Sequence, residues 1–237
     1  ADVGDALLLE AARRIAAAAP ANSVARIGGD EFAVLLRSTA GGGDAGLEGE
    51  ALAARVAGAI ATPFAVAQTA CKLTASIGIV PVTATGRRDA AALLADADLA
   101  MLAARERGGG HWQVFEPAQR TRARRSFEIA DALRDALEGR DKPDGFTLAY
   151  QPVVDLASGG IAGFEALMRW THPQLGPLPP ADFIPVAEST GLIVPLGAWA
   201  IRRGCERLRR WRGRGAVPFV SVNVSARQLF EPGFEQT

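Results

Sequence analysis

The sequence predicts a mixed α/β protein built from two successive units, and three observations carry that expectation. Helical and strand-like segments alternate along the whole chain. Two pairs of apolar runs are joined by turn signals, Gly28-Gly29-Asp30-Glu31 in the first half and Ser158-Gly159-Gly160 in the second, so each half is expected to hold a β-hairpin. Between the halves lie a basic helical stretch and a polar loop, residues 139–145, that holds Pro143; these read as a linker zone.

Taken in order, Leu8, Ala11, Ala12, Ile15 and Ala19 recur at helical spacing from Asp5 onward, and Pro20 stops the helix. Ser23 to Ile27 and Phe32 to Leu36 are strand candidates flanking the first turn. Gly41-Gly42-Gly43 marks a loop, and Leu47 to Ile60 is an alanine-rich helix ended by Pro63. Phe64 to Val66 and Lys72 to Val80 read as strands. Asp89 to Arg107 is a long helix closed by Gly108-Gly109-Gly110, and His111 to Phe115 alternates like an edge strand. A helix then runs from about Pro117 to Glu138. Beyond the linker, Phe146 to Leu156 and Ile161 to Trp170 are expected to pair as a hairpin. Helices are expected to begin at Asp182 and to run from Leu196 to Trp211, with a strand over Phe219 to Val224 and a further helix from about Ala226. Strand–helix–strand alternation of this kind suits an α/β barrel or an open sheet.

Whole-chain numbers bound the function. The 237 residues suffice for one large or two modest domains, and 49% hydrophobic with 22% charged residues is ordinary for a globular protein. Lys+Arg (26) balances Asp+Glu (26), so no global field favours nucleic acid or an anionic membrane, and a polyanionic ligand would need a local pocket. Two distant cysteines, Cys71 and Cys205, do not form a secreted disulfide framework and are expected to be reduced, buried thiols. The longest apolar candidate for a membrane span, Gly191 to Cys205, is interrupted by Pro195, Arg202 and Arg203. The first residues lack a basic signal-peptide region and an initiator Met, and read as a chain already in progress, with a cytoplasmic location expected.

The first chemical constellation is Arg26-Ile27-Gly28-Gly29-Asp30-Glu31-Phe32. Two glycines allow a tight turn and close backbone approach to a phosphate, and two adjacent carboxylates suit a hard divalent cation. Taken alone, the tetrapeptide is better read as an ordinary hairpin turn with solvated acids. With Val3-Gly4-Asp5-Ala6-Leu7-Leu8, Ser76-Ile77-Gly78-Ile79 and Ala97-Asp98-Leu99-Ala100-Met101 around it, residues 1–117 resemble the GGDEF family of diguanylate cyclases. The resemblance implies a nucleotide-cyclase-like, antiparallel-containing sheet with helices, lacking its N-terminal strand and helix. It also implies that Asp30 is a metal ligand, that Glu31 is catalytic or shares the metal, and that Gly28 and Gly29 admit GTP, two of which would be condensed across a homodimer. Three departures bear on activity. The family strand carrying a further metal-binding Asp would precede Ala1. An inhibitory Arg-x-x-Asp site is replaced by Ala19-Pro20-Ala21-Asn22, so no guanidinium fork is present for product feedback. Arg105 and Leu102 stand where Lys and Tyr are common.

The second constellation comprises Tyr150-Gln151-Pro152, Phe164-Glu165-Ala166-Leu167-Met168-Arg169-Trp170, Phe183-Ile184-Pro185-Val186-Ala187-Glu188 and Asn223-Val224-Ser225-Ala226-Arg227-Gln228-Leu229. A Glu among apolar neighbours on an inner strand is costly to bury unless paired or metal-bound, and Asn223 falls at the carboxyl end of a strand, where barrels place ligands. The competing reading of Glu165 is a solvated strand residue paired with Arg169. Together the four blocks resemble the EAL family of cyclic-di-GMP phosphodiesterases. That resemblance implies a partial TIM-like (β/α) barrel over residues 146–237, after a linker helix and loop at 118–145. It makes Glu165 a catalytic residue and, with Asn223, a ligand of Mg²⁺ or Mn²⁺, while Gln151 and Arg169 contact the cyclic dinucleotide. Glu188 is read as structural. The remaining acidic ligands and a catalytic Lys would lie beyond Thr237, so the chain as given is expected to be inactive at both sites, its parent being a cyclic-di-GMP phosphodiesterase with an attached diguanylate cyclase. A catalytically inactive module binding GTP or cyclic-di-GMP is the alternative.

The implied partners are GTP, cyclic-di-GMP, a second copy of the parent and an upstream sensor domain, with membrane anchoring, if any, through segments before Ala1. Arginines between Arg120 and Arg125, and the seven between Arg202 and Arg214, are read as solvated or interdomain helix faces rather than a nucleic-acid surface. Trp170, Trp199 and Trp211 are expected in the core or in helix packing, and His111 and His172 are not metal candidates.

Overall fold

The computed structural model describes residues 3–37, 45–66, 69–82, 89–138, 143–212 and 219–234. The chain divides into two compact units, Ala1–Ala123 and Arg124–Thr237.

In the first unit, helix α1 (Val3–Ala18) leads to the hairpin β1 (Ser23–Gly28) and β2 (Glu31–Leu35), followed by α2 (Ala45–Ala61), β3 (Phe64–Val66), β4 (Thr69–Cys71), β5 (Ile77–Ile79), α3 (Ala90–Glu106) and β6 (Trp112–Val114). The apolar stripes foreseen on α1 and α2 meet: Ala11, Ile15, Leu52, Val56, Ile60 and Phe64 form one buried cluster, with Val24, Phe32 and Val34 of the hairpin packed against it. Helix α3 starts where expected because the Asp89 carboxylate accepts from the Ala92 N–H at 2.6 Å, satisfying one of the orphan donors of the first turn. Its Asp96 is only 1% exposed and takes a two-pronged guanidinium contact from Arg120, at 2.5 and 2.7 Å. Arg120 therefore holds a buried carboxylate, whereas the sequence suggested a solvated or interdomain face.

Of the strand expected over Lys72–Val80 only Ile77–Ile79 forms, pairing with β6 in parallel, while the unforeseen Thr69–Cys71 before it pairs with β3. Residues 72–76 alternate in polarity but have no ladder partner among the described residues. The Gly41-Gly42-Gly43 loop lies outside the described residues. Helix α4 (Pro117–Leu137) begins in the first unit and ends in the second.

The second unit is built on β7 (Phe146–Val154) and β8 (Ile161–His172), antiparallel to one another, with β9 (Gly176–Leu178) on β8. Helices α5 (Pro180–Thr190) and α6 (Ile193–Arg212) carry the chain to β10 (Phe219–Val222), which pairs with β8 in parallel, giving the order β10-β8-β7. The short α7 (Ala226–Leu229) follows. At Gly145, φ is +73° and a Cβ would overlap the Thr171 carbonyl, so glycine is required where the chain enters β7. The core gathers Ile129 and Leu133 of α4, Phe146, Trp170, Phe183, Leu196 and Trp199. Phe146 stacks on Trp170 at 4.8 Å and meets Phe183 edge-on at 5.5 Å, which are favourable aromatic geometries. Trp170 and Trp199 are buried as expected, while Trp211 packs half-buried against Tyr150 and Phe164.

Two further expectations are corrected. Neither cysteine is buried: Cys71 is half-buried and Cys205 exposed, because Cys205 falls on the outer face of α6, opposite the stripe of Leu196, Trp199 and Ala200. The helix foreseen from Ala226 is a single turn. Among the arginines of α6, Arg203 pairs with Glu206 at 2.8 Å and Arg207 lies 5.5 Å from the Tyr150 ring. Among the described residues no helix is long and apolar enough to cross a membrane.

Candidate functional site

Strand periodicity sorts the side chains of β8. Ala166 and Trp170 are buried, Met168 packs against the core and Phe164 meets Trp211 of α6, so this set faces the helices. Glu165 and Arg169 alternate with it and occupy the opposite face. On β10, Val220 and Val222 approach Gly204 of α6, which leaves Ser221 and then Asn223 on the face of Glu165. The parallel register sets Ser221 against Glu165, and the antiparallel register sets Gln151 of β7 against Glu165 from the other side.

The result is a polar cluster on the sheet face away from the helices. Asn223 Nδ2 donates to Glu165 Oε1 at 2.8 Å, across a sequence separation of 58 residues. Glu165 is half-buried, and Gln151, Arg169 and Asn223 are exposed. Arg169 lies four residues along β8 on the same face, and its guanidinium donates to the Met168 carbonyl at 2.8 Å. Glu165 thus engages Asn223 across the sheet, not Arg169 along its own strand. The carboxylate and the amide are both hard oxygen donors of the kind that Mg²⁺ and Mn²⁺ prefer, and their partial exposure leaves access from solvent. Among the described residues no three His, Cys, Asp or Glu side chains converge, so the pair offers part of a coordination shell.

In the first unit, Gly28 closes β1 opposite Glu31 at the head of β2, with Gly29 and Asp30 at the tip between them. Gly29 has φ +49°, a left-handed conformation, and Arg26 pins the tip by donating to the Gly29 carbonyl at 2.9 and 2.6 Å. All four tip residues are exposed. A Cβ on Gly28 would meet nothing within 4 Å, so neither local packing nor a positive φ explains a glycine there.

Three residues without an assigned role in the sequence reading complete the turn after Asn223. Ser225 caps α7 and Gln228 reciprocates, its Oε1 accepting from the Ser225 N–H at 3.1 Å. Arg227 Nη1 donates to the Glu188 carbonyl at 2.7 Å. The signal was legible as a capping box, Ser225-x-x-Gln228. Glu188 takes part through its backbone, consistent with a structural role. His172 is likewise structural: its Nδ1 accepts from the Gln174 and Leu175 N–H groups at 3.3 and 3.2 Å.

Comparison with known proteins agrees with this division. Residues 1–111 match the family model "Diguanylate cyclase, GGDEF domain", and residues 130–237 match "EAL domain". The bifunctional diguanylate cyclase/cyclic di-GMP phosphodiesterase MucR of Pseudomonas aeruginosa is 36% identical over 98% of the chain and 33% of its own length. The cyclic di-GMP phosphodiesterase PdeR of Escherichia coli is 37% identical over 95% of the chain and 33% of its own length. A solved structure titled "PaMucR Phosphodiesterase, c-di-GMP complex" is 40% identical over 46% of this chain and 43% of that one, with a TM-score of 0.42. The chain spans about a third of the length of these curated relatives. Two adjoining family matches, in the order in which both relatives align along nearly the whole chain, show that it belongs to the tandem GGDEF–EAL family.

Proposed function

We propose that the protein carrying this chain turns over cyclic di-GMP, with the EAL unit hydrolysing it to linear pGpG and the GGDEF unit forming it from GTP. The observation that carries the reading is the Glu165–Asn223 pair, drawn together at 2.8 Å on one polar sheet face with Gln151 in register beside it. Asn223 stands at the carboxyl end of a strand, where barrels place their functional side chains, and a carboxylate beside an amide oxygen suits a hard divalent cation.

When bound, Mg²⁺ or Mn²⁺ would supply the positive charge that acidifies a water and draws in phosphate oxygens. Glu165 and the Asn223 amide oxygen hold one side of that charge. Gln151 offers an amide donor and acceptor to the dinucleotide, and Arg169 a planar guanidinium for a phosphate. In the GGDEF unit, Asp30 and Glu31 would hold a divalent cation at the hairpin tip, and Glu31 would assist loss of the proton from the attacking 3′-hydroxyl. Gly28 and Gly29 leave the tip open to GTP. The open space around Gly28 supports that assignment, since a glycine without a structural demand is one that keeps room for a ligand. A cytoplasmic location, a second copy of the protein for GTP condensation and an upstream sensor domain complete the proposal.

The test uses the full-length protein with cyclic di-GMP and Mg²⁺ or Mn²⁺, following pGpG by chromatography. Glu165→Ala is expected to lower hydrolysis by at least a hundredfold while leaving the fold intact by circular dichroism. Absence of pGpG from the unmodified protein, with cyclic di-GMP still bound, would identify a binding module instead.

A further inference from the structure

We propose that Arg227 and Gln228 are positioning residues for Asn223, and that Gly197 is kept free of a side chain to seat Gln228. The inference rests on Glu165 and Asn223 as the cation-gripping pair and adds what fixes one of them in place.

Asn223 stands just beyond the last paired residue of β10, on three residues that belong to neither strand nor helix. Nothing in the ladder beyond Val222 holds it, so its position depends on how the following turn is anchored. That anchor is double. Among the described residues Gln228 is one of two buried polar or charged ones, at 2% exposed, and its amide lies where a Cβ on Gly197 of α6 would have to be. From that seat its Oε1 accepts from the Ser225 N–H, while the Gln228 N–H donates to the Ser225 carbonyl at 3.0 Å. Arg227 reaches to the end of α5, donating to the Glu188 and Ser189 carbonyls at 2.7 and 3.3 Å. A cation on the last carbonyls of a helix also complements its dipole. The same guanidinium lies over Gly191, whose φ of +79° turns α5 toward α6.

The turn that presents Asn223 is therefore fastened to both crossover helices through Arg227 and Gln228, four and five residues beyond the functional side chain. Losing either fastening leaves the Glu165–Asn223 hydrogen bond without a fixed partner. Groups that orient metal ligands from behind are worth about 10- to 100-fold in metal affinity or activity.

The experiment uses the full-length protein in an Asp30→Ala/Glu31→Ala background, so that Mn²⁺ binding reports on the EAL unit. Direct Mn²⁺ binding is read by electron paramagnetic resonance, and Mn²⁺ half-saturation by pGpG release. Gln228→Ala, Arg227→Ala and Gly197→Ala are each expected to weaken Mn²⁺ binding about 10- to 100-fold, with Arg227→Lys recovering part of the loss. Leu133→Ala, a core change on α4 with Leu133 fully buried, serves as a control for lost stability. It is expected to lower Tm without moving Mn²⁺ binding. Unchanged Mn²⁺ binding in the turn variants, or equal weakening in Leu133→Ala, overturns the inference. Failure of the underlying reading looks different: Glu165→Gln and Asn223→Ala would themselves leave Mn²⁺ binding intact.

Discussion

The contact between Arg120 and Asp96 allows a quantitative test of the first unit. Replacing Arg120 by Met keeps most of the aliphatic stem and removes the guanidinium from a carboxylate that is 1% exposed. Breaking a fully buried pair costs about 3–5 kcal/mol, whereas an exposed pair is worth about 0.2–1 kcal/mol. Here one partner is buried and the other, at 49% exposed, remains in reach of water and salt. The structure therefore places the loss between those limits, at about 2 kcal/mol. The assay is urea unfolding followed by hydrogen exchange of peptides from the first unit, repeated for Asp96→Asn and for the double variant. The cycle is expected to return a coupling of about 1–2 kcal/mol. A loss below about 0.5 kcal/mol for Arg120→Met, the range of ordinary surface changes, would refute the reasoning.

Two other outcomes follow from geometry and charge. Gly78→Ala is expected to destabilise the first unit by about 1–3 kcal/mol or more, because the new methyl would overlap the Ala97 carbonyl where β5 meets α3; an unchanged Tm would contradict that close approach. The Asp155 carboxyl is held below the usual aspartate range, chiefly by the Ser158 N–H, then by the Ser158 hydroxyl and the Ala157 N–H. A depressed folded pKa adds stability above the unfolded value of about 3.9, and that stability is lost as pH falls through the folded value. Amides 157–160 are accordingly expected to exchange faster only in that acid window. An Asp155 carboxyl titrating by NMR at or above the usual value would count against the turn geometry.

The parts of the fold that were legible in the sequence are those set by local chemistry. Gly28-Gly29-Asp30-Glu31 specifies a turn through its own backbone requirements, and the helices end at Pro20, Pro63 and Gly108 for similarly local reasons. The strand over β8 was legible and so was Trp170 as a core residue, but apolar Leu167 on the face of Glu165 and Arg169 blurs the alternation that sorts them. What the sequence could not reveal is pairing. Residues 72–76 look like strand, yet a ladder needs a neighbour, and β5 finds its partner in β6 far along the chain. Three-residue β9 carries Pro177 and no periodicity, so it shows only as a partner of β8. Arg120 reads as one arginine among several until α3 and α4 bring it to Asp96. The Glu165–Asn223 contact was foreseen as shared ligation from the resemblance; their direct hydrogen bond depends on the parallel register of β10 against β8.

The 58-residue span between Glu165 and Asn223 also orders events in time. Antiparallel β7 and β8 can zip from their turn, but β10 must wait until both crossover helices have packed, since a long loop has to close before its contacts repay the lost freedom. The cluster is thus expected to assemble late and to be lost early when the crossover opens. Any ion or nucleotide that grips both residues holds that segment shut, adding about 2.7 kcal/mol at a hundred times its Kd, so occupancy of the sheet face and integrity of the crossover helix pair become one equilibrium.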